Sequence, residues 1–207
     1  MCKICGSKIK TEYDNEMKCN FHFCDSCGFI FKDDADYLDN NTEYKRYASH
    51  NNSFESPGYV KMFRDFLLKI DDYIDYDSLV LDYGCGPGPV LSEMMASKGS
   101  KTKTYDLYFP HSVDYDEYLY DIITVTEVIE HFKDPMDDLR KSLKLLKQGG
   151  LLVIRTSFIK QPFMKWWYKR DHTHVSFFND SVFNKISEIL NLEIVFSDHF
   201  DTVIFKK

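Results

Sequence analysis

Two pairs of cysteines, Cys2-x2-Cys5 and Cys24-x2-Cys27, stand 18 residues apart. Knuckles of this spacing offer four thiolates to one tetrahedral ion, and zinc is the metal that suits them. Gly6 and Gly28 follow the second cysteine of each pair, where a glycine frees backbone N–H groups to turn toward sulfur. Four thiolates leave no open coordination position, so the expected zinc is structural. Cys19 and His22 are alternative ligands at less regular spacing. Paired thiols of this kind read as metal ligands in a reducing compartment.

A second constellation is Leu81-Asp82-Tyr83-Gly84-Cys85-Gly86-Pro87-Gly88. It follows an apolar run and opens a helical pattern, which is the setting of a nucleotide-binding turn. Gly84 permits the tight turn, Gly86 lets a ligand approach the backbone, and Gly88 lets the helix pack closely. Cys85 supplies a small side chain within the turn and is assigned no chemistry. Asp106 ends the next strand, where a carboxylate can accept the protons of two ribose hydroxyls. Asp82 would repel a pyrophosphate but suits an ammonium or sulfonium group. S-adenosylmethionine carries both charges and no phosphate. The competing reading is a purely structural glycine turn.

The elements that must position these residues alternate along the chain. Pro57 to Asp72 has helical period. Strands are predicted at Leu79–Tyr83, Lys101–Tyr105, Tyr120–Thr126 and Leu151–Thr156, and helices at Val90–Lys98, Met136–Lys147 and Ser181–Leu190. Two final strands, Leu192–Phe196 and Thr202–Phe205, are joined by too few residues for a crossover and must pair antiparallel. The pattern predicts an α/β fold: a Rossmann-like, doubly wound, mainly parallel sheet with an antiparallel last strand, plus a small zinc-ribbon-like module. The predicted divisions are a zinc-binding module over 1–32, a linker or lid over 33–56 and a catalytic domain over 57–207.

Hydrophobic residues make up 43% of the 207-residue chain, enough for a full core, and the net charge is -7. That charge disfavours a nucleic-acid partner, because a groove tracking phosphates needs surplus lysine and arginine. No run of 18 apolar residues and no apolar leader segment is present, so a cytoplasmic protein without a membrane association is expected.

The sequence resembles the class I S-adenosylmethionine-dependent methyltransferases over about residues 55 to 207. Asp82 to Gly88 looks like their first motif and Asp106 like their ribose-binding acid. Tyr120 to His131, with Asp134-Pro135, resembles their fourth strand and following turn. Leu145 to Ile154 resembles the passage into the fifth, with Gln148 where proline is usual. The resemblance implies a seven-stranded sheet and cofactor contacts from Asp82, Gly84, Cys85, Gly86, Gly88, Asp106 and Glu127. Only 13 residues, Leu107 to Leu119, separate the second and fourth strand regions, so the third strand must be reduced or lost. Asp114 and Asp116 are the candidates for the adenine contact normally found there. The cysteine knuckles, the Rossmann-like domain and the segment Trp166 to Phe178 together resemble a group of small bacterial methyltransferases of unassigned substrate.

Methyl transfer requires an acceptor placed in line with the methyl group and, for an alcohol, phenol or carbon acid, removal of a proton. Candidates are His131, after the fourth strand, and His172 and His174, after the fifth. Alternate residues of an extended segment face one way, so His172 and His174 would line one wall. The alternative for His131 is capping or packing. Trp166 and Trp167 read either as an aromatic wall or as a packed helix. Tyr44, Tyr47, His50 and Asn51 read either as a lid or as a solvated connector. The favoured activity is methylation of a small-molecule or carrier-bound acceptor. Two alternatives stand beside it: an RNA methyltransferase gripping RNA with the zinc module, and a non-catalytic cofactor-binding interaction protein. Residues 1–32 carry five lysines against four acidic residues, which is weak for RNA.

Overall fold

The structure, a computed structural model, describes residues 1–49 and 52–207. Its main sheet has six strands in the order β5-β4-β6-β7-β10-β9. These are β4 (Leu79–Tyr83), β5 (Lys101–Tyr105), β6 (Tyr120–Thr126), β7 (Leu146–Arg155), β9 (Glu193–Ser197) and β10 (Thr202–Lys206). β4 pairs parallel with β5 and β6, and β6 with β7. β10 runs antiparallel to both β7 and β9.

The strands are apolar on both sides because both faces are covered. Val80, Ile122, Val153 and Ile204 face one way and pack under α2 (Pro57–Ile70) and α3 (Val90–Ser97). Their neighbours Leu81, Ile123, Leu152 and Val203 face the other way, under α4 (Pro135–Lys144) and α5 (Asp180–Leu190). A period of two along each strand thus sorts the sequence into two cores. The caps fit the helix ends: Asp134 accepts from the amide of Asp137 with Pro135 in the first turn, and Asn179 accepts from Val182. Among the described residues no helix is long and apolar enough to cross a membrane.

The structure corrects several boundaries. Leu146 to Gly150, expected to end a helix, already belong to β7, whose register against β6 shifts between Tyr120 and Ile122. Gly149, at φ +78°, adopts a conformation a helix cannot continue through. Between β5 and β6 the described residues form only a turn at Tyr115–Glu117, so the third strand is absent and the sheet has six strands rather than seven. Trp166 to Tyr168 form tight turns rather than a covering helix.

A second sheet holds β1 (Lys10–Asp14), β2 (Cys19–Phe23), β3 (Ile30–Lys32) and β8 (Ser176–Phe177). Its last strand comes from far along the chain: Ile30 and Phe31 pair with Phe177 and Ser176. Phe29 and Phe31 enter the same core as Phe178, Val182 and Phe183. The fully buried Lys169 ammonium bonds Asp14 at 2.7 Å and Glu16 at 3.0 Å, tying the β1–β2 hairpin to the loop after β7. Helix α1 (Asn40–Ala48), capped by Asp39, follows this sheet.

Candidate active site

A cavity of about 670 Å³ opens at the carboxyl ends of β4, β5 and β6. That is where ligands bind in open α/β sheets. Gly84 and Gly86 line one side at φ +87° and +69°, a region glycine enters without steric cost. The turn is held by short bonds: the amide of Gly84 donates to the Tyr105 carbonyl at 2.7 Å, and that of Gly86 donates to Asp106 Oδ2 at 2.8 Å. Asp106 Oδ1 accepts from the amides of Tyr108 and Phe109. Asp106 therefore fixes the glycine turn and the following loop while standing at the cavity rim.

Tyr83 and Pro87 also line the cavity, whereas Asp82, Cys85 and Gly88 do not. Asp82 is buried beneath it, where Thr124 Oγ1 donates to its carboxylate at 3.2 Å. A Cβ on Gly88 would overlap the carbonyl oxygen of Asn52, so Gly88 serves close packing. Cys85 is buried, and burial pushes its thiol up to about 12, leaving it protonated. Asp114 is bound to Lys103 at 2.7 Å, and neither it nor Asp116 lines the cavity.

Burial also pushes the Asp82 carboxyl from its ordinary 3.8 up to about 7, against the hydrogen bonds of Thr124 and the Ser92 amide. The unfolded chain releases this proton near pH 4 and the folded chain only near pH 7. The folded state binds more protons in that window, so the group's contribution to stability falls as pH rises, by about 1.4 kcal/mol per pH unit. Asp82→Asn removes this term. Guanidinium unfolding at pH 5 and pH 8 should show the variant gaining on the parent at the higher pH; an equal difference at both values would overturn the assignment.

Glu127 closes the far side of the cavity at a left-handed φ of +55°, rare outside glycine. Its amide donates to the Arg155 carbonyl at 2.8 Å, and its carboxylate pairs with the Arg155 guanidinium, which also meets Asp201 at 3.1 Å. Three residues on, the tight turn Ile129–His131 carries Glu130 and His131 into the cavity wall.

His174 reaches the same wall from the loop after β7. One donor atom from each of Glu130, His131 and His174 lies within 4.8 Å of the others. Both imidazoles are oriented by backbone carbonyls. Nδ1 of His131 donates to Thr173 at 3.0 Å, and Nδ1 of His174 donates to Tyr168 at 2.8 Å. Burial lowers both basicities, His174 to about 3, so both rings are neutral. Glu130 is fully buried, and the Tyr168 hydroxyl donates to its Oε1 at 2.6 Å.

His172 does not join them. Residues 171–173 form a turn, not an extended segment, because Asp171 Oδ1 accepts from both the amide and hydroxyl of Thr173. That turn breaks the alternation, leaving His172 exposed while its carbonyl accepts from Lys32. Trp166 is buried with Phe163 and Phe177 away from the cavity, and Trp167 is exposed. Of the expected lid, Tyr47 lines the cavity and Tyr44 packs against Phe109 with ring centroids 5.7 Å apart, while His50 and Asn51 lie outside the described residues. Sequence reasoning passed over Glu43. This buried α1 carboxylate accepts from Tyr108 Oη at 2.8 Å and Lys133 at 3.0 Å, and it joins α1 to both banks of the cavity. An acidic residue in a polar helix gives no sequence signal of burial.

At the other site, all four thiols of Cys2, Cys5, Cys24 and Cys27 fall within 4.8 Å of one another, with Cys2–Cys27 and Cys5–Cys24 at 3.6 Å. Sulfurs at about 2.3 Å around one zinc stand roughly 3.8 Å apart, so the donor set fits that ion. The two knuckles match: the Gly6 amide donates to the Cys2 carbonyl and the Gly28 amide to the Cys24 carbonyl, at 3.0 and 2.8 Å, so these two amides close the knuckle turns rather than point at sulfur. Cys19 is buried among Phe21 and Phe163, and His22 bonds Thr11 and Asp33, so neither is in the cluster.

Comparison with known proteins agrees with this geometry. Over 101 residues the chain is 34% identical to a ubiquinone biosynthesis O-methyltransferase of Ralstonia nicotianae, covering 37% of this chain and 42% of that protein. It is 31% identical over 102 residues to the protein of the same name from Proteus mirabilis, covering 37% and 41% respectively. The chain thus spans less than half the length of the curated relatives it matches. Among solved structures, CalO1, a methyltransferase in calicheamicin biosynthesis with SAH bound, superposes with a TM-score of 0.51 at 11% identity, over 67% of this chain and 51% of that one; the likeness is one of fold. The model of the family described as "Methyltransferase domain" matches residues 52–196. With that match spanning most of the chain, including the glycine turn and the wall that carries Glu130, His131 and His174, the chain belongs to the methyltransferase domain family.

Proposed function

We propose that this chain transfers a methyl group from S-adenosylmethionine to an oxygen of a small-molecule or carrier-bound acceptor in the cytoplasm. The observation that carries the reading is the Gly84–Gly86 turn locked by Asp106 at the rim of a cavity of about 670 Å³. That volume is in the range of small-molecule sites. When bound, the cofactor supplies a methyl group on a sulfonium, already activated for displacement.

The protein's work is to orient and to exclude water. Gly84 and Gly86 offer close backbone approach, Asp106 keeps one lone pair on Oδ2 for a ribose hydroxyl, and the ion-paired Glu127 fixes the wall opposite. Aromatic rings of Tyr47, Tyr108 and Phe132 give an acceptor flat apolar contact. The acceptor's proton is drawn off at the wall formed by Glu130, His131 and His174. The four-cysteine cluster holds a structural zinc, which replaces the core that so small a sheet lacks.

Calorimetric titration with S-adenosylhomocysteine, with NADH and ATP as controls, tests the reading. Micromolar binding of the first compound alone is expected, and its absence from folded protein would overturn the proposal. Asp106→Ala should weaken that binding about 10- to 100-fold, since a hydrogen bond to a charged group contributes about 1.5–3 kcal/mol. An unchanged dissociation constant would remove Asp106 from the ribose.

A further inference from the structure

We infer that Glu130, His131 and His174 form a second metal site, distinct from the cysteine cluster, that takes a divalent first-row transition ion and presents it to the acceptor.

The three side chains offer two imidazole nitrogens and a carboxylate oxygen, all within 4.8 Å of one another. Donors sharing one ion at about 2.1 Å stand roughly 3 to 3.5 Å apart, which small side-chain rotations reach from this arrangement. Each imidazole commits Nδ1–H to a backbone carbonyl, His131 to Thr173 and His174 to Tyr168. That fixes the tautomer and leaves Nε2 of each ring as the free lone pair. A carbonyl behind the ligating ring is the outer-shell arrangement that orients metal-binding histidines.

Glu130 gives the independent sign. It is fully buried, Tyr168 satisfies Oε1, and Oε2 has no hydrogen-bond partner among the described residues. A buried carboxylate oxygen without a donor is costly unless a cation completes it. Arg155 acts on this carboxylate only through space, its guanidinium being held by Glu127 and Asp201.

Two histidines and one carboxylate suit zinc, manganese, iron or cobalt, and three protein ligands leave positions open toward the cavity. This deepens the proposed function and rests on it for the chemistry. An acceptor hydroxyl bound to such an ion loses its proton near neutral pH. The oxygen lone pair then forms the new bond to the methyl carbon, and the carbon–sulfur bond breaks with its electrons remaining on sulfur. The proton leaves to bulk water through the cavity mouth.

The test is calorimetric titration of the zinc-loaded full chain with Mn2+, an ion that favours oxygen and nitrogen over thiolates and so bypasses the cysteines. We expect one saturable Mn2+ site per chain, beyond the zinc already bound. His174→Ala should weaken it by at least tenfold. Glu130→Gln, which keeps the shape of the side chain, should do the same, and serves if the histidine variant does not fold. Absence of a saturable site in the parent, or equal affinity in both folded variants, would overturn the proposal. Titration of the same sample with S-adenosylhomocysteine separates the two readings. Binding of that compound without Mn2+ binding removes the metal site and leaves methyl transfer standing. Mn2+ binding without it supports the site and removes the methyltransferase reading.

Discussion

Cys5→Ser should release the zinc and lower the unfolding temperature by more than about 10 °C. Structural zinc contributes roughly 10–16 kcal/mol of apparent binding free energy in small zinc modules, against a whole-domain stability of about 5–15 kcal/mol. The strands of the smaller sheet are short, β3 having three residues, and the cysteines themselves are part of the core. Damage will not stay local. β3 pairs with β8, and Phe29 and Phe31 share a core with Phe178 and with Phe183 of α5. For a chain of this size each kcal/mol moves the midpoint by about 2–4 °C, so losing even a third of the zinc contribution is conspicuous. Elemental analysis and a thermal scan on the same sample check it. Stoichiometric zinc retained by the variant would sink the four-thiolate site, since Cys19 and His22 lie outside the cluster and would have to be recruited.

Gly84→Ala should weaken S-adenosylhomocysteine binding by more than about tenfold and destabilise the fold by about 2–5 kcal/mol. Two costs combine. The residue sits at φ +87°, where a side chain costs about 1–2 kcal/mol. A Cβ would also lie 2.7 Å from one methyl carbon of Val128 and closer still to the other, an overpacking that costs about 1–3 kcal/mol. Val128 is β-branched and stiff, so relief comes from moving its backbone, which is the segment carrying Glu127, Glu130 and His131. The glycine turn and the wall carrying Glu130 and His131 are therefore mechanically joined through one contact. Gly58→Ala is the control: nothing lies within 4 Å of a Cβ built there, so binding and stability should hold. Unaltered binding in Gly84→Ala would show that the turn is not the cofactor's cradle.

Much of the fold was legible in the sequence because its signals are local. Apolar runs of five to seven residues separated by helical patterns dictate a parallel sheet, and the short link before the last strand dictates its reversal. The third strand's loss followed from the short Leu107–Leu119 segment. Boundaries failed where local signals conflict: Gly149 and Gly150 read as a stop after a helix, yet sheet pairing drew Leu146 to Gly150 into β7. The expected common wall for His172 and His174 failed because Asp171 folds the segment into a turn, and a period of two holds only in extended chain.

By itself the sequence determined the residues that need only their neighbours. Each cysteine knuckle closes within five consecutive residues through a backbone bond, and the glycine turn is marked locally by the positive φ angles that glycine enters readily, although Tyr105 and Asp106 then hold it. Tertiary structure decided everything that depends on distance through space. It placed Asp82 beneath the turn rather than in the cavity, brought His174 to His131 across 43 positions and to Glu130 beside it, and gave β3 its partner 147 positions on, from Ile30 to Phe177. It also buried Glu130 and left one of its oxygens without a donor. No local pattern encodes that, because burial of a polar atom is a property of what the rest of the chain packs around it.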